Sequence, residues 1–238
     1  MHSDLHERIH RLTGLCGLAG ALLFFAGDML FYGHFGSGTN FSAGLINTVT
    51  HASDARLYAG GLVGPFAACL CILGFWHIYL NTRSANPVLA RLVLVCFSIL
   101  MIFGSAVHTL WTARGLAIKY CSTQSAPCAD LAASVKSYWS IAYNLGAAPG
   151  YLGAVLLLLL VLFRRTNYPR WTALFNPAIL ILVSPLAAYI PAPVGAVIVG
   201  GSDNLSIALF FLVSLLTTWN SPPAASSTPR YRPELSRV

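Results

Sequence analysis

Three polar residues stand inside otherwise apolar stretches of this 238-residue sequence: Asp28, His108 and Asn144. A carboxylate and an imidazole meeting in a partly dry pocket form an acid/base pair, and an amide beside them can orient a polar group of a bound molecule. An ionisable group within a membrane span costs at least ~2.5 kcal/mol on insertion scales and usually faces the bundle interior, which makes each one a functional candidate by default. Asp28 lies late in the first apolar stretch, one turn before Tyr32. His108 stands near the end of the third, and Asn144 follows Tyr143 in the fourth, ahead of Pro149. Counting from the shared boundary at about 1.5 Å per residue puts all three roughly 6–10 Å below one surface. Asp28 and His108 are therefore the expected catalytic pair, with Tyr32, Asn144, Tyr143, Arg114 and Asn204 as substrate-binding residues.

Plainer roles compete with these. Asp28 could form a structural ion pair with Arg114 or Arg56, His108 could be a hydrogen-bonded packing residue, and Asn144 could hold two helices together. Arg114 could anchor a helix at the interface. Asp203 and Asn204, beside Gly200, Gly201 and Ser202, read most naturally as an N-cap or turn.

The elements that must position these groups follow from composition. The chain is 56% hydrophobic and 9% charged, with a mean hydropathy of +0.69, whereas a soluble domain is about a quarter charged. That excludes a water-exposed globular surface, disorder and a disulfide-dense miniprotein. Stretches of about 20 apolar residues, enough to cross a hydrocarbon core of roughly 30 Å, occur at Leu12–Phe35, Leu57–Leu80, Val88–Arg114, Tyr138–Phe163, Trp171–Ile190 and Gly195–Trp219. The expected fold is all-α: a polytopic transmembrane bundle of six helices in one domain over residues 1–219. A short amphipathic helix through Phe41, Leu45, Ile46 and Val49 is expected in the first outer loop, and a disordered basic cytoplasmic tail over 220–238. Asp28 and the length of the first apolar core argue against a cleaved signal peptide.

Orientation follows from basic residues. With the N-terminus inside, ten of the fourteen Lys and Arg fall on the cytoplasmic side, leaving Arg56, Arg114, Lys119 and Lys136 outside. The positive-inside rule thus selects N-in and C-in, in a bacterial inner membrane. The Arg residues form no continuous stripe, so no nucleic-acid partner is expected. Cys121 and Cys128 are the only cysteines outside the spans and fall in an outer loop, where a disulfide can persist, with a metal site or free thiols as the other readings. Gly60-x-x-x-Gly64-x-x-x-Ala68 and Gly146-x-x-x-Gly150 with Ala154 put small residues on one helix face, for packing within the bundle or for a homodimer. Pro65 and Pro149 should kink the helices that carry these faces, and Pro177 and Pro185 make the fifth span the least regular.

Paired-His metal motifs, a Gly-x-Ser-x-Gly elbow and a phosphate-binding glycine loop do not occur, so no cofactor or tightly held metal is expected. The partner these features imply is a membrane lipid or lipophilic small molecule, bound and chemically altered in the outer half of the bundle. A proton- or cation-coupled transporter and a non-catalytic membrane subunit are the alternatives.

Four strings carry a resemblance: Gly27–Gly33 (GDMLFYG), Ser53–Pro65 (SDARLYAGGLVGP), Tyr168–Pro177 (YPRWTALFNP) and Pro191–Asn204 (PAPVGAVIVGGSDN). With these the chain resembles a bacterial family of six-helix integral membrane proteins of unknown function. The resemblance implies a shared fold and draws attention to Asp28, Asp54 and Asn204, and it brings no activity. A looser likeness to small helical enzymes that isomerise or cyclise isoprenoids is analogy alone.

Overall fold

The computed structural model describes residues 2–121 and 126–220; the expected tail lies almost wholly outside them. Among the described residues seven α-helices run in chain order: α1 (His2–Tyr32), α2 (Phe41–His51), α3 (Asp54–Thr82), α4 (Pro87–Cys121), α5 (Ala126–Phe163), α6 (Pro177–Val183) and α7 (Gly195–Thr218). Among the described residues, five helices (α1, α3, α4, α5 and α7) are long and apolar enough to cross a membrane. The protein is an all-helical membrane bundle. The end at which α1 finishes is termed distal and the opposite end proximal.

The expected fifth span, Trp171–Ile190, is not one continuous helix. It is divided into a 3₁₀ stretch at Arg170–Phe175, the two-turn α6, and a second 3₁₀ stretch at Ser184–Tyr189. Prolines explain the breaks, since each removes a backbone donor and clashes with the preceding turn. Pro177 is tolerated at the first turn of α6, where Asn176 serves as N-cap and accepts from the Ala178 N–H at 2.9 Å. The Asn176 amide also donates to the Ala154 carbonyl at 3.2 Å, which ties the break to α5. The segment starts at the proximal end, where the Asn167 N–H donates to the Asn81 carbonyl, and finishes at the distal end, where Gly38 lies against Ala188.

Helices pack in the order α7, α1, α3, α4, α5, and the broken segment touches both α5 and α7, closing the ring. Glycines set how closely neighbours approach. A Cβ at Gly17 would lie 2.7 Å from the Cα of Gly74, so α1 and α3 cross there backbone to backbone. Gly60 and Gly64 receive Phe31 and His108, while Gly146 and Gly150 receive Phe103 and Leu100. The small-residue faces anticipated on these helices thus hold side chains of the same chain. Phe24, Phe75, Phe97, Phe210, Phe211 and Leu157 fill the core between them.

The distal end is closed by polar fastenings. Arg56 donates to the carbonyls of Leu30 (2.7 Å) and Met29 (2.9 Å), satisfying groups that the last turn of α1 leaves open. Ser53 caps α3 through the Arg56 N–H, and Asp54 accepts from Lys119 at 2.6 Å and Tyr120 at 2.8 Å. A disulfide joins Cys121 to Cys128. The helix expected in the first long loop is α2. Its Val49 is buried against Leu57 and Trp111, and Phe41 packs edge-on to Tyr32. Ile46, placed on the same apolar face by spacing, is exposed instead.

Candidate functional site

α1 carries Asp28 and Tyr32 on one face because they are four residues apart. Asp28 is 6% exposed. Its Oδ1 lies 3.5 Å from Nε2 of His108 on α4, and its Oδ2 accepts a 2.6 Å hydrogen bond from the Asn204 amide on α7. Three separate helices therefore converge on one carboxylate. His108 reaches this position because glycines leave room for it: a Cβ at Gly64 would lie 2.6 Å from the His108 Cβ, and one at Gly27 would lie 3.1 Å from the ring. Phe24 and Phe31 flank the imidazole, with ring centroids 4.7 Å and 5.8 Å away. At 3.5 Å the carboxylate and imidazole can exchange a proton through a small movement or a single water.

This pair opens on a cavity of about 230 Å³ between α4 and α5 on one side and α1 and α7 on the other. Asp28, Tyr32, His108, Trp111, Trp139, Tyr143, Asp203 and Asn204 line its polar region, while Phe24, Phe97, Leu100, Met101, Ile181 and Ile207 line its apolar region. Pro177 and Ile181 bring α6, the broken part of the ring, into the wall. A concave, mostly apolar site with a few converging polar groups is the usual form of a small-molecule pocket. The Tyr143 hydroxyl donates to Asp203 Oδ2 at 3.1 Å, bridging α5 and α7 where no extended packing joins them. Trp139 Nε1, on a side chain that lines the cavity, is a buried donor without a partner, while His108 Nδ1 is buried on the side of Gly27 and Gly60.

Of the expected site residues, Asp28, His108, Tyr32, Tyr143 and Asn204 line this cavity together. Asn144 does not: it is exposed and absent from the lining. Tyr143, Gly146, Ala147, Gly150 and Ala154 follow helical spacing along the cavity face of α5, and Asn144 is turned about 100° from Tyr143. Asn204 supplies the amide instead. Arg114 also stands off the lining, its guanidinium 4.6 Å from the Trp111 ring and 4.4 Å from the Trp139 ring. Neither it nor Arg56 pairs with Asp28, so the ion-pair reading of Asp28 falls. Asp203 and Asn204 are not an N-cap or a turn, because α7 begins at Gly195 and puts them in its third turn. Thr109, one residue past His108, is exposed and returns its hydroxyl to the Ser105 carbonyl.

A second polar group, which the sequence pattern does not single out, lies near the proximal end around His77. His77 Nδ1 donates to the His10 carbonyl at 2.9 Å, which fixes the tautomer and leaves Nε2 to meet the Ser214 hydroxyl at 3.0 Å. Tyr168 meets the same hydroxyl at 2.8 Å. The Asn81 amide lies 2.9 Å from His10 Nε2 and bonds the His77 carbonyl. Burial raises the Tyr168 hydroxyl well above its ordinary pKa, so it stays protonated. The i, i+4 pairs His77/Asn81 and Ser214/Thr218 were the available signal. This cluster has its hydrogen bonds met and stands apart from the cavity beside Asp28, so it joins α1, α3 and α7.

No curated protein and no solved structure matches this chain. A family model does match, over residues 1–221, and by it the chain belongs to the Family of unknown function (DUF6796).

Proposed function

We propose that this protein binds a lipophilic or amphiphilic small molecule in the cavity between α4, α5, α1 and α7, with Asp28 and His108 as an acid/base pair at its polar end. The observation that carries this reading is the contrast between the two buried polar groups. The proximal one is saturated by its own hydrogen bonds, whereas the distal one, with Asp28, His108, Asp203 and Asn204, lines a void. Tyr32, Tyr143 and Asn204 orient the bound molecule, and the apolar region receives its tail. Access is lateral, between α5 and α7, where the Tyr143–Asp203 hydrogen bond is the fastening. The protein sits in a bacterial inner membrane with both termini cytoplasmic, so that the cavity lies in the outer half.

The experiment is retention of lipid-soluble molecules by purified protein offered a total membrane extract. Asp28→Asn and His108→Ala should each lower retention of the specific component about 10-fold or more, given about 1.5–3 kcal/mol for a hydrogen bond to a charged group. Retention equal to that of the parent protein in both variants would remove these residues from the function. A proton- or cation-coupled transporter remains the second reading, favoured by the polar group at the opposite end. Phe24, Cys71, Phe75 and Phe211 form an apolar layer between the two groups, and this ranks transport below binding.

A further inference from the structure

Resting on the reading of the cavity as a ligand site, we infer that its ligand is a cationic amphiphile, an amine or quaternary ammonium group carried on an apolar tail. Two carboxylates, Asp28 from α1 and Asp203 from α7, stand in the lining, and no Lys or Arg does. Their present partners are a neutral amide, a neutral hydroxyl and an imidazole at 3.5 Å. A carboxylate in an apolar wall is costly to keep ionised unless a charge of opposite sign is brought to it, and without one it takes up a proton. A ligand that supplies the missing positive charge therefore gains most from this site, an anionic headgroup meets like charge, and a neutral one leaves the imbalance as it was.

Two further features fit such a headgroup. Tyr32, Trp111, Trp139 and Tyr143 line the same polar region, and aromatic faces attract ammonium groups. Trp111 and Trp139 already hold the guanidinium of Arg114, which lies outside the lining. His108, itself 6% exposed, lines the same region, and as a neutral imidazole it leaves the Asp28 charge for a cationic headgroup to meet. The other end of the cavity, with Phe97, Leu100 and Met101, suits an unbranched tail.

The test titrates the purified full-length chain in lipid nanodiscs with probes sharing a decyl tail: decyltrimethylammonium, decylamine, decanol and decanoate. Binding is read from tryptophan fluorescence against empty nanodiscs. Both amines should bind about 10-fold or more tightly than decanol and decanoate, and Asp28→Asn or Asp203→Asn should each reduce that preference by about 10-fold. Ala147→Trp, which fills the cavity from α5, should abolish binding of all four. Equal binding of the probes to the parent protein, or tighter binding of decanoate, overturns the headgroup inference without any variant; the cavity reading then survives if Ala147→Trp still abolishes binding. Probes that bind undiminished to Ala147→Trp overturn the cavity reading itself, and failure of every probe to bind overturns both.

Discussion

Asp28 and His77 are both buried polar residues in transmembrane helices, yet their surroundings assign them different work. Every nitrogen of the His77 ring has a partner, whereas His108 and Asp28 line a cavity. Removing the first should cost stability and spare binding. His77→Ala is expected to lose about 1–3 kcal/mol because Ser214, Asn81 and the His10 carbonyl lose partners in a buried setting. Gly64→Ala should cost a similar amount, about 1–3 kcal/mol, by pressing a methyl on the His108 Cβ, and should also weaken ligand retention because the imidazole shifts. Thermal unfolding in detergent, run beside a retention assay, checks both; loss of binding in His77→Ala with none in Gly64→Ala would contradict the division of roles. Asp28 and His108 were legible from the sequence because a charged or titratable group in an apolar run is conspicuous. His10 was not, lying in a part of α1 that carries Glu7, Arg8 and Arg11 and reads as a solvated end.

At the scale of elements, apolar run length located the five long helices, and Pro177 with Pro185 foreshadowed the break between α5 and α7. Rotation about each axis was what the sequence could not supply. Counting residues along a helix yields depth alone, and azimuth depends on how the partner packs. Asn144 was therefore placed at a suitable depth but on the wrong side of α5, while Asp203 and Asn204 were taken for a cap because α7 starts earlier than its first polar residues imply. Azimuth became available only through the glycine contacts at Gly60, Gly64, Gly146 and Gly150. The proposed orientation of these elements is open to measurement through the Cys121–Cys128 disulfide, which that proposal puts on the periplasmic face. After reduction, a membrane-impermeant maleimide added to intact spheroplasts should label both cysteines; labelling only in inverted vesicles would reverse the proposed orientation and place the cavity in the inner half.

In the molecule as a whole, the ring of helices is closed by its weakest member. Where α5 and α7 lack a continuous helix between them, the two-turn α6 and its flanking 3₁₀ stretches leave space, and that space is the cavity. On the proposed reading the same sparse packing is the lateral route from the bilayer, fastened by the Tyr143–Asp203 hydrogen bond. The breaks at Pro177 and Pro185 are on this account part of how the site is made, since an unbroken helix would bring apolar side chains across the gap.

Mass spectrometry of molecules that leave the membrane with the protein tests the central claim most directly, comparing the parent chain with Ala147→Trp purified in the same way. The account predicts one amphiphile enriched near one per chain in the parent and reduced about 10-fold or more when the cavity is filled. An identical bulk-lipid profile in both proteins would contradict it.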